Sequence, residues 1–189
     1  MNTDAIIHSV RTWVEQFVVG EQLCPFARQP LESGGVRFVV TEARSANVLL
    51  DCLAEEIARL AQTPEIETTL LIHPNVLTDF LTYNQFLDEV DALLRRLDLE
   101  GVFQVASFHP DYQFAGTEPE DAENYTNRSP YPMLHVLREE RIEAAVASFE
   151  NIEGVPERNI RHLRQIGAST LAERLNACFR DTDGPHALN

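Results

Sequence analysis

Lysine is absent from this 189-residue chain, whose 15 basic residues are all arginine. Without a Schiff-base lysine, pyridoxal-phosphate enzymes and lysine-type aldolases are excluded. The G-x-x-x-x-G-K-[ST] phosphate loop and the kinase strand lysine go with it. Glycine is scarce at eight residues, and no G-x-G-x-x-G, G-x-S-x-G or H-E-x-x-H signature occurs. The three cysteines, Cys24, Cys52 and Cys178, are widely spaced and form no C-x-x-C pair. That pattern predicts free thiols in a reducing, cytoplasmic compartment. No apolar run approaches the ~18 residues of a membrane span. The first stretch carries Asp4, His8 and Arg11 among its apolar positions, unlike a secretory leader.

What is present is acid. The net charge is −15 and the pI about 4.7, a field that repels a phosphate backbone and an anionic membrane surface alike. A local group of arginines can still bind a small anion. The chain is 44% hydrophobic, enough for one buried core and short of two. A single domain over residues 1–180 is expected, with a loose tail over 181–189.

Apolar residues from Asp4 to Val19 recur at helical spacing and stop at Gly20. A strand is expected over Val36–Thr41, a helix over Ser45–Leu60, a strand over Thr68–Ile72, a helix over Asp79–Leu97 and a strand over Val102–Phe108. The order α-β-α-β-α-β predicts an α/β fold with a small, mostly parallel sheet of three to four strands. Two additional C-terminal helices complete the expectation. One starts at Ser129-Pro130, read as serine N-cap and proline N1, and runs to about Phe149. The last opens at Pro156 and bends near Gly167.

Residues 111–127 show neither period. Loops of that length are usually functional or disordered, and Tyr112, Phe114 and Tyr125 do not suit disorder. His73 and His109 hold equivalent places, each after an apolar strand and before a proline. Parallel strands would bring both imidazoles to the carboxyl edge of the sheet, where open α/β sheets bind ligands. Either ring can also simply end its strand on a carbonyl. Asp111 can orient an imidazole or act as a base, or else cap backbone amides. Cys24, the only cysteine outside an expected helix, can be a nucleophile, a metal ligand or a small buried residue. Arg128 beside Ser129 reads as an anion site at a helix start, or as an ion pair with a loop carboxylate such as Glu118. Tyr112, Tyr131 and His135 can line the same ligand site; His135 reads equally well as core.

The segments that carry these residues resemble the bacterial domain-of-unknown-function family numbered 1415. They are LCPFA from Leu23, TTLLIHP from Thr68, ASFHPDYQFAGT from Ala106, ENYTNRSPYPMLHVLRE from Glu123 and ERNI from Glu157. The resemblance covers most of the chain and implies no reaction.

Three functions fit these residues. An enzyme acting on a small anionic metabolite would use His73 and His109 as acid and base, Cys24 and Asp111 beside them, and Arg128 on the anion. In a metal version His73, His109 and Cys24 would hold a divalent transition metal, zinc or iron rather than magnesium. A non-catalytic module would bind a small ligand or a partner peptide in the same crevice. An assembly role would use Tyr112, Phe114, Tyr125 and Tyr131 as interface anchors.

Overall fold

A computed structural model describes residues 2–147, 149 and 152–179; the expected tail over 181–189 lies outside them. Helix α1 (Thr3–Trp13) starts where the Asn2 side chain accepts the amides of Asp4 and Ala5, satisfying donors that a helix start leaves free. A π-helical segment, Val14–Val19, follows in place of one continuous α-helix. The wider turns bury Val14, Phe17, Val18 and Val19 together. Gly20 ends the segment, and a Cβ there would overlap the backbone of Gln16.

Short helix α2 (Arg28–Ser33) closes at Gly34, which takes the left-handed conformation that favours glycine. Then come β1 (Val36–Val40), α3 (Ala46–Gln62), β2 (Thr68–Ile72), α4 (Phe80–Arg96) and β3 (Phe103–Phe108). Ser45 and Asp79, expected as the first residues of their helices, are the N-caps of α3 and α4, accepting the amides of Val48 and Thr82. Past a 3-10 turn at Ala122–Thr126 lie β4 (Met133–Arg138), α5 (Glu139–Ala147), α6 (Val155–Ile166) and α7 (Ala168–Ala177). Gly167, with φ +87°, separates the last two.

The Ser129-Pro130 helix start is therefore wrong, and so is the mostly parallel sheet. Sheet order is β1-β2-β4-β3, with β1 and β2 parallel and β4 antiparallel to both β2 and β3. Pro130 and Pro132 supply no N–H, and Pro132 biases Tyr131 toward an extended backbone. The apolar run after them fills the gap between β2 and β3, where Met133 pairs with both Ile72 and Phe108. The three strands expected from the pattern still point the same way, because β4 reverses direction twice over between β2 and β3.

Strand alternation splits the core into two layers. Leu70, Ile72 and Met133 face α1, the π-helical segment, α6 and α7. Leu71, Leu134 and Val136 face α3 and α4. The central strand β2 is buried on both sides. No helix among the described residues is long and apolar enough to cross a membrane.

Candidate functional site

The carboxyl ends of β2 and β3 lie on one edge, so His73 and His109 leave the sheet together. With β4 between them, the gap is two strand spacings, about 10 Å. The Tyr83 ring from α4 fills it. Ring centroids lie 5.7 Å apart for His73–Tyr83 and 5.2 Å for Tyr83–His109. All three residues are fully buried. The Tyr83 hydroxyl donates to the Met133 carbonyl at 2.8 Å and accepts the Phe108 amide at 3.1 Å. It thereby joins the ends of β3 and β4. Burial pushes the phenol far above its ordinary range.

Each imidazole holds a carbonyl of the loop that follows β2. His73 Nδ1 donates to Val76 at 2.9 Å, and His109 Nε2 donates to Leu77 at 3.2 Å. These acceptors fix both rings as neutral tautomers. The remaining His109 nitrogen, Nδ1, accepts the Asp111 amide at 3.0 Å. The remaining His73 nitrogen, Nε2, is buried without a partner. Burial lowers the His73 pKa from 6.5 to about 4. It lowers His109 too, against the opposing charge of Asp111. Leu77 has φ +55°, a left-handed conformation that costs a leucine roughly 1–2 kcal/mol; the grip of His109 on its carbonyl helps to hold it there.

Beyond His109 the rings of Phe80, Tyr112 and Phe114 continue outward in edge and tilted contacts. The loop carrying them is organised by buried Asn124. Its Oδ1 accepts the Phe114 amide at 3.0 Å and the Thr117 hydroxyl at 2.8 Å, and its Nδ2 donates to Glu118 O at 2.8 Å. Arg128 donates to the carbonyls of Tyr112 at 3.1 Å and Pro119 at 2.6 Å, and lies over the Tyr125 ring at 4.7 Å. It makes neither the ion pair nor the helix-start site considered above. No carboxylate among the described residues pairs with it, and no helix begins at Ser129.

His73, His109, Asp111, Tyr112 and Arg128 are thus gathered at one end of the sheet. Ser129 sits beside them, its amide donating to the His109 carbonyl at 3.4 Å, but its side chain is taken up locally, and three other candidates are elsewhere. Ser129 is buried and its hydroxyl donates to Tyr131 O at 2.7 Å. Tyr131 packs in the α1–α7 layer against Phe179. His135 lies in mid-sheet opposite Leu70 and Ala106. Thr68 donates its hydroxyl to Val136 O and accepts from His135 Nε2, each at 2.6 Å. Burial lowers the His135 pKa to about 4, which suits the core role.

Cys24 is exposed on a turn docked against α6. Asn159 Nδ2 donates to Leu23 O at 2.7 Å, and Arg158 donates to Gln22 O. Leu23 belongs to the α1–α7 layer and Tyr83 to the α3–α4 layer, so the thiol does not join the imidazoles. Desolvation raises its pKa despite hydrogen bonds from Phe26 and Ala27, leaving a thiol rather than a thiolate. No three His, Cys, Asp or Glu among the described residues are grouped to hold a metal. The His73–His109–Cys24 metal set is therefore set aside.

Sequence reasoning missed Tyr83 and Asn124. A tyrosine on a helical apolar stripe and an asparagine in a loop carry no local sign of what they join. The chain-wide comparison agrees with the motif resemblance: residues 5–173 match the family model described as protein of unknown function (DUF1415). The chain belongs to that family. Neither a curated protein nor a solved structure matches it. The DUF1415 match runs from within α1 to within α7, and its description names no reaction.

Proposed function

We propose that this DUF1415 protein binds a small anionic metabolite at the carboxyl edge of its sheet, with Arg128 as the anchor. One observation carries the reading. Two carbonyls and an aromatic ring pin the guanidinium, and Nη1 has no hydrogen-bond partner among the described residues. A fixed, unneutralised fork of donors suits a carboxylate or phosphate. The histidines then serve as organisers: their carbonyl bonds hold the loop that follows β2 against the ends of β2 and β3. A cytoplasmic setting fits the three free thiols, and the chain's acidity favours a small ligand over nucleic acid.

A second reading makes the same site an enzyme. It rests on His73 Nε2, a buried base with an open lone pair. Binding is preferred because His109, the expected partner in acid–base work, has both nitrogens engaged.

Thermal-shift titration with inorganic phosphate and citrate at low ionic strength tests the anchor. The wild type gains stability with concentration, and Arg128→Gln loses at least about tenfold in affinity, the worth of a charge-assisted hydrogen bond. Equal stabilisation of both proteins overturns the proposal. If binding holds, metabolite turnover that is lost in His73→Asn would move the balance to the enzyme.

A further inference from the structure

We infer a second ligand site, for a zwitterion of amino-acid to dipeptide size, in a cavity at the start of α6. It shares no residue with the Arg128 site. The cavity is an open cleft of about 550 Å³, a volume within the ordinary range for small-molecule sites. Arg158, Arg161, Glu153 and Glu157 line it, with Phe149 and Val155 as apolar wall. Glu157 and Arg161 are four residues apart on α6, a spacing at which opposite charges ordinarily pair. Yet no ion pair joins any of the four charges among the described residues.

The wall is anchored. Arg158 bonds Asn159 Oδ1 through Nε at 3.3 Å and Nη2 at 2.8 Å, and reaches Gln22 O. These bonds tie it to the turn that bears Cys24, and Nη1 has no hydrogen-bond partner among the described residues. On the same turn Phe26 meets Phe149 edge-on, with centroids 5.9 Å apart. The cavity thus combines a fixed cation, a second free cation at Arg161, two carboxylates and an aromatic face.

That set discriminates. A purely anionic ligand would satisfy the arginines and be repelled by the glutamates. A purely cationic one would do the reverse. A carboxylate and an ammonium on one molecule answer both, and an apolar side chain meets Phe149 and Val155.

Calorimetric titration with L-phenylalanine and glycyl-L-phenylalanine tests the site, with 3-phenylpropionate and 2-phenylethylamine as one-charge controls. At least one zwitterion is expected to bind about tenfold or more tighter than either control. With all titrations made in the Arg128→Gln background, so that the first site is silent, Arg161→Gln and Glu157→Gln, both exposed positions, each weaken it about tenfold or more. The inference is overturned if neither zwitterion saturates by roughly 10 mM, if the one-charge analogues bind as well, or if both cavity variants bind like the Arg128→Gln parent.

Discussion

Acidifying the protein from pH 7 to pH 5 should weaken it through His73, and the size of the effect follows from the ring's surroundings. Nδ1 already holds Val76 O, so an added proton would sit on Nε2, where nothing accepts it. The folded pKa is about 4 against an ordinary 6.5. Across that window the unfolded chain takes up a proton that the folded chain refuses, so stability is full above about pH 6.5 and falls as pH drops toward 4. Integrating between pH 7 and pH 5 gives a loss of about 2 kcal/mol from this one residue. His135 and His109 are lowered as well and add in the same direction. His135 adds less than its value implies, because the residue is only half-buried. Comparison with a His73 variant cancels the contribution of the other titrating groups, which the two proteins share. Urea unfolding at pH 7, 6 and 5 reads the slope directly. His73→Asn keeps a donor where Nδ1 stands and removes the titrating site. The variant starts less stable at pH 7 through lost packing, but its decline to pH 5 should be smaller than wild type's by about 2 kcal/mol. Parallel pH profiles for the two proteins would refute the reasoning.

Two further outcomes follow from the same geometry. Tyr83→Phe strips the hydroxyl that accepts the Phe108 amide and donates to Met133 O, leaving both without this partner at a cost of roughly 1–3 kcal/mol in chemical unfolding; an unchanged midpoint would show that the bridge is dispensable. Asp98→Gly, at an exposed position just past α4 with φ +57°, relieves left-handed strain and should stabilise the protein by up to about 1 kcal/mol, raising its melting temperature by a few degrees.

The helices between the first three strands were legible because each carries a helical period, and Thr68–Ile72, which has no alternation, because a short apolar run stops at His73-Pro74. Thr68–Ile72 is placed to the residue, and Ser45 and Asp79 cap the helices they precede. Strand β4 was not legible. Ser129-Pro130 before it imitates a helix start, and Met133–Leu137, with Met133, Leu134 and Val136 buried across both faces, has no clean alternation to contradict that signal. The charged Arg138–Arg141 stretch after it extends the helical pattern of α5 backward. The meeting of His73 and His109 was readable from their equivalent strand-end positions. What stands between them was not, since it depends on β4 and on Tyr83 arriving from α4. Cys24 failed for a related reason: proximity in a list of reactive residues says nothing about which side of a sheet a turn will occupy.

The two imidazoles grip consecutive carbonyls, Val76 and Leu77, of a single loop. Strand ends that are not neighbours in the sheet are therefore fastened to the same short length of chain. Loosening either ring frees the loop from one side and loads the other, so this rim of the molecule should open as a single cooperative unit. In hydrogen exchange, the amides of His73, Phe108 and His109 would then share one opening energy, although their acceptors, Pro132 O, the Tyr83 hydroxyl and Asn127 O, belong to three different parts of the chain.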